Sequence, residues 1–158
     1  MPARYSFPTV PISEVPSAVL LGGPRHDRPR VMVVDDESTI ADTLTEIFTR
    51  SGYSAEAAYD GEEALEKALL KPPELLLTDV VLPGMSGIEL AITMKRVFPD
   101  LKILLFSGQA ATSDLLASAA RAGHSFELLN KPVHPADLLA RANEKLKAPR
   151  AAVRVPAE

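Results

Sequence analysis

Acidic side chains stand at unusual places in this sequence. The stretch "LLLTDVVLPGMSG" (75–87) puts Asp79 at the end of an apolar run, just ahead of a Pro-Gly turn. "VMVVDDE" (31–37) does the same with Asp35, Asp36 and Glu37. Two further apolar runs end in Ser107-Gly108 and in Asn130-Lys131-Pro132. Two carboxylates about 4 Å apart repel by about 4 kcal/mol at an effective dielectric near 20, so such a cluster requires a proton or a cation. Mg²⁺ suits it, being a hard ion that takes one or two carboxylates, keeps several waters and accepts phosphate oxygens. Beside it a carboxylate can attack phosphorus and become an aspartyl phosphate. The oxygens of the transferring group then need partners set in advance. The cation, the Lys131 ammonium and the Ser107 hydroxyl can supply one each.

These residues need elements that bring them to one edge. "VMVV" (31–34) is a short continuous apolar run, the mark of a strand covered on both faces. Ile40, Leu44, Ile47 and Phe48 then recur at helical spacing, closed by Gly52. "YSAEAAY" (53–59) is a weaker strand, expected at a sheet edge, and Asp60-Gly61 turns the chain into a helix with Ala64, Leu65, Ala68 and Leu69 on one face. "ELLLT" (74–78) is the third strand, and residues 86–98 form a helix with Ile88, Ala91, Ile92 and Val97 available for burial. "KILLF" (102–106), an alanine-rich helix over 112–122, and "FELL" (126–129) follow. Pro135 opens a last helix lined by Leu138, Leu139, Ala142 and Leu146. Five β-α units with short connections predict a parallel sheet between two layers of helices. The crevice of such a sheet lies beyond the C-terminal strand ends, where every residue singled out above falls.

Composition narrows the function classes. The chain of 158 residues is 46% apolar and 24% charged, with a formal charge of −4, which fits one globular domain and no polyanion-binding field. Without cysteine there are no disulfides and no thiolate-held metals, as suits a reducing compartment. No apolar run approaches the roughly 20 residues of a membrane span. "AVLL" near the start is too short for a signal peptide, and the expected location is cytoplasmic. Six of the 14 prolines fall in the first 29 residues. Residues 1–28 are therefore expected to be an irregular extension, 29–147 the domain, and 148–158 a polar tail.

In this order and spacing, "VMVVDDE", "GYSAEAAYDGEEAL", "ELLLTDVVLPGMSGIEL", "ILLFSG" and "NKP" resemble a response-regulator receiver domain across residues 29–147. The resemblance implies a flavodoxin-like (βα)5 sandwich with strand order 2-1-3-4-5, an order the pattern alone does not supply. It makes Asp79 the phosphoacceptor and, with Asp36, a direct Mg²⁺ ligand. Asp35 would hold a metal-bound water and the Val81 carbonyl would add a contact. Lys131 would pair with the phosphoryl group, Ser107 would be the switch hydroxyl, and Pro132 would follow a cis peptide bond. The phosphodonor would be a sensor histidine kinase, a phosphotransfer protein or a small molecule such as acetyl phosphate. With 11 residues after Lys147, output is expected through protein contact on the fourth helix, fifth strand and fifth helix rather than through nucleic acid or membrane. Homodimerisation stays open.

Two departures stand out. The family's aromatic three residues before the lysine is Leu128 here, with Phe126 two residues earlier. Either an offset or bulged strand lets Phe126 substitute, or the aromatic part of the switch is missing; the sequence favours its absence. Val81, two residues past Asp79, offers no group to orient a water, which predicts slow self-hydrolysis. Competing readings are weaker. Asp35-Asp36-Glu37 alone would be a helix cap, and His26, His124 and His134 share no useful spacing. An unphosphorylated scaffold would not need Asp36, Asp79 and Lys131 together. A metal-dependent aspartyl phosphatase usually carries its nucleophile on the first strand. The expected protein is a switch and not an enzyme.

Overall fold

The structure, a computed structural model, describes residues 28–108 and 112–147. The expected N-terminal extension up to residue 27, with His26, and the tail after Lys147 lie outside them. Strands form where apolar runs sit between turn residues. β1 (Arg30–Val34), β3 (Leu75–Asp79) and β4 (Lys102–Ser107) are almost wholly buried, which is why they read as continuous apolar segments. β2 (Ser54–Ala58) and β5 (Glu127–Asn130) occupy the two edges. Every pairing is parallel and the order is β2-β1-β3-β4-β5, the flavodoxin-like topology expected from the resemblance.

The crossovers are α1 (Ser38–Arg50), α2 (Gly61–Leu70), α3 (Gly87–Val97), α4 (Thr112–Arg121) and α5 (Pro135–Lys147). α1 and α5 cover one face, where Phe48, Leu138 and Ala142 meet Val31, Val33, Leu77, Leu104 and Phe106. α2, α3 and α4 cover the other, where Ala64, Ala68, Leu90, Ala91, Met94 and Ala119 meet Met32, Val34, Leu76 and Leu105. Helix starts are chemically marked. The Asp60 side chain accepts from Glu63 N at 2.7 Å, and Ser86 and Glu89 form a reciprocal capping box. After α1 the chain reverses at Gly52, whose φ of +98° is left-handed and suits a residue without a Cβ.

Two burial expectations fail. Leu69 and Val97 are 66% and 49% exposed. Each sits in the last turn of its helix, to one side of the residue buried there: Ala68 is fully buried beside Leu69, and Phe98 packs on the core beside Val97. Leu90 and Met94, with Ala91 at the same helical spacing, form the stripe that α3 buries instead. β5 also begins one residue later than expected, which leaves Phe126 ahead of the strand.

Candidate functional site

Three strand ends deliver the site. Asp35 follows β1 directly, is fully buried, and accepts from Glu37 N at 2.9 Å through Oδ1. Asp79 closes β3, is 7% exposed, and accepts from Val81 N at 3.1 Å through Oδ1. Asp36 is exposed. One carboxylate oxygen from each of the three lies within 4.8 Å of the others, a grouping that could hold a metal ion. Lys131 reaches in from the end of β5. Its Nζ donates to Asp79 Oδ2 at 2.9 Å and to Asp35 Oδ2 at 3.2 Å.

The charges are not balanced. Three carboxylates face one ammonium, and the strain shows in the titration of the buried groups. Burial pushes the Asp35 carboxyl above its ordinary value. The Glu37 N–H and Lys131 work against that rise and the Asp79 charge adds to it. For Lys131 burial disfavours the charge, but the hydrogen bond and charge of Asp79, then those of Asp35, outweigh it and hold the ammonium above its usual range. Oxygen donors of this hardness, with Asp36 open to water, match what Mg²⁺ accepts.

Ser107 ends β4, is 2% exposed and lies opposite Asn130 in the ladder. Its carbonyl accepts from Lys131 N at 2.9 Å, so the strand end that carries the serine also anchors the lysine backbone. The Lys131–Pro132 peptide bond is cis. Val81 has left the sheet and is 43% exposed beside Asp79. The β4–β5 register runs unbroken from Leu104↔Glu127 to Ser107↔Asn130. Leu128 therefore pairs with Leu105 with no bulge, while Phe126 stacks on His124 with ring centroids 6.2 Å apart. Both side chains are partly buried against the α2–α3–α4 face. His134 accepts from Ala136 N at 3.1 Å and, like His124, is not among the clustered groups.

Two residues that shape the site were not picked out from the sequence. A Cβ on Gly87 would lie 1.9 Å from the Asp79 carbonyl oxygen, so the loop after β3 can fold back only over a bare α-carbon. Its signal was present in the glycine that immediately follows the helix-capping serine of "PGMSG". Phe106 lies directly opposite Asp79 across β3–β4, and Lys131 Nζ stands 4.8 Å from its ring centroid. In the sequence it read only as a core residue.

A doubly wound α/β domain with an acidic, potentially metal-holding centre and a lysine at its switch edge defines a recognisable class, and comparison with known proteins says which. Residues 31–143 match the family described as response regulator receiver domain, and the chain belongs to that family. The response regulator receiver protein CpdR of Brucella abortus (strain 2308) is 34% identical over 119 residues, covering 75% of this chain and 98% of that protein. Response regulator MprA of Mycobacterium avium (strain 104) is 31% identical over 118 residues, 75% of this chain and 51% of MprA. The chain thus matches about half the length of such longer relatives. Among solved structures, a CheY-like receiver domain protein from Methanospirillum hungatei JF-1 superposes with a TM-score of 0.69 at 33% identity, covering 75% of this chain and 94% of that one. Receiver domains are the signalling switches of two-component response regulators. No helix among the described residues is long and apolar enough to cross a membrane.

Proposed function

We propose that this protein is a phosphorylation-controlled switch in which Asp79 accepts a phosphoryl group. The observation that carries the reading is the convergence of Asp35, Asp36 and Asp79 within 4.8 Å, with Lys131 Nζ 2.9 Å from Asp79. Asp36, Asp79 and the Val81 carbonyl would hold Mg²⁺ directly, and Asp35 would hold it through a water. When bound, the ion neutralises carboxylate charge and charge developing on phosphoryl oxygens. An Asp79 carboxylate oxygen forms the new bond to phosphorus. The bond from phosphorus to the donor breaks on the far side, and its electron pair leaves with the donor, a phosphohistidine nitrogen or the acetate oxygen of acetyl phosphate. Lys131 moves its ammonium from Asp79 to a phosphoryl oxygen, and the Ser107 hydroxyl donates to another.

The added charge and acceptor oxygens bias the loop and helix surface around them, so the protein signals by changing its contacts and turns over no substrate of its own. Residues 29–147 are the switching unit. A sensor histidine kinase or phosphotransfer protein in the cytoplasm supplies the phosphate, and a partner protein reads the α4–β5–α5 surface. Leu115 on α4 is 46% exposed there and offers apolar contact. Leu128 stands where an aromatic switch would be, so Ser107 works without one.

The test is direct. Incubation with acetyl phosphate and Mg²⁺ adds one phosphoryl mass to the protein and none to Asp79→Asn, read by intact-protein mass spectrometry. No gain from acetyl phosphate or from histidine-kinase donors would make the chain an unphosphorylated receiver-like scaffold.

A further inference from the structure

Lys131 is held on more than its two carboxylates. Its side chain is only 23% exposed, and Nζ lies over the Phe106 ring, 4.8 Å from the centroid. That ring is 2% exposed and belongs to the residue paired with Asp79 across β3–β4, so it shares the phosphoacceptor's position along the sheet. The lysine stem and the ring together border an apolar cavity of about 350 Å³ whose other walls are Ile40, Leu44, Leu77, Pro132, Val133 and Leu138. No other side chain of that lining carries a hydrogen-bond acceptor. Among the described residues that line the cavity, the aromatic ring is the one that offers the ammonium a negative face. A cation over an aromatic face is attracted by the ring quadrupole, more strongly where water is thin.

Resting on the phosphoacceptor reading above, we infer that Phe106 is a positioning residue: its ring face keeps the Lys131 ammonium over Asp79, ready for an oxygen of the incoming phosphoryl group. An aliphatic residue would fill the same volume and leave the ammonium free to swing toward the cavity mouth. The backbone of Phe106 pairs with β3 beside Asp79, and in this role its ring acts on the ammonium of Lys131. The transfer itself is unchanged: the Asp79 oxygen bonds phosphorus while the bond to the acetate oxygen breaks and acetate leaves with the electron pair.

The experiment replaces Phe106 by progressively fluorinated phenylalanines, which keep the ring's shape while draining its negative face, and by leucine. The readout is the rate of aspartyl phosphate formation from acetyl phosphate at saturating Mg²⁺, followed by intact mass, with a melting curve for each variant. The rate falls stepwise with fluorine content, to about fivefold below the unmodified protein at full fluorination and in Phe106→Leu, while melting temperature does not follow that order. A flat series, a drop in the leucine variant alone, or a decline that tracks melting temperature overturns the role of the ring. If the unmodified protein takes up no phosphoryl group, the underlying reading falls and this inference with it. If it does and the series is flat, only the inference falls.

Discussion

Asp35 is the residue at which folding and function pull against each other. It is buried beside Asp79 and supported by one backbone N–H and one ammonium. Its carboxyl is raised in the folded protein, so the folded state holds that proton more tightly than the unfolded chain. The contribution of Asp35 to stability is therefore present below the ordinary carboxylate range and lost as pH rises through the raised value. Lys131, also raised, follows the same sign in a higher window: its contribution is intact at neutral pH and is lost only above the usual lysine range. In chelator-treated protein, Asp35→Asn should raise unfolding stability at pH 7 by about 1 kcal/mol, with the gain shrinking toward pH 4. Urea melts at both pH values check this, and an equal gain at both contradicts it. Val81 acts at the same scale. Its apolar side chain is 43% exposed next to Asp79 and can orient no water. Val81→Asn should shorten the lifetime of the phosphoprotein severalfold, measured by loss of the phosphoryl mass after donor removal; an unchanged or longer lifetime speaks against it.

Elements decide whether these side chains meet. β1, β3 and β4 end at neighbouring points because their registers are in step, Val34 opposite Thr78 and Asp79 opposite Phe106. The loop from β3 to α3 must clear that edge without covering it. It does so by laying Gly87 on the backbone of Asp79, with Gly87 N donating to Val80 O at 2.7 Å, while the Ser86–Glu89 capping box holds the helix start. Alanine is the better helix former by about 1 kcal/mol, which alone would favour Gly87→Ala. A Cβ only 1.9 Å from the Asp79 carbonyl reverses the sign, because neither backbone can yield without moving Asp79. That variant should be destabilised by about 3 kcal/mol or more in urea unfolding. A stable, normally phosphorylated Gly87→Ala protein would show that the loop has room the structure denies it. The same scale explains the failures at Leu69 and Val97. Periodicity outlines the inward side of a helix but not its margins: Ala68 and Phe98 take the inward places, and Leu69 and Val97 are left at the edge.

At the scale of the whole molecule the sheet separates two cores and unites one site. The α1–α5 side and the α2–α3–α4 side bury different residues of the same strands, alternating along β1, β3 and β4. Asp79 follows Leu77 by two residues, so both stand on the α1–α5 side, the side from which Lys131 and Phe106 also approach. Asp79 is tied to the segment that opens α5 through its ion pair with Lys131, and to the end of β4 through Phe106, the neighbour of Ser107.

Much of this was legible in one dimension. Continuous apolar runs marked the doubly covered strands, and proline and glycine marked their ends. Polar residues that ended those runs marked the edge where chemistry would gather, because a parallel sheet sends all its C-terminal ends to one side. Asp35, Asp36, Asp79, Ser107 and Lys131 were named on that ground and on family resemblance. What pattern could not supply is whatever depends on distance between segments far apart in the chain. Phe106 was indistinguishable from any core aromatic until Lys131, 25 residues later, was laid across it. Gly87 was one more turn glycine until the backbone of Asp79 came within reach of its missing Cβ. Side-chain type and period are local properties and can be read along a string; close approach is set by packing, and only the folded chain contains it.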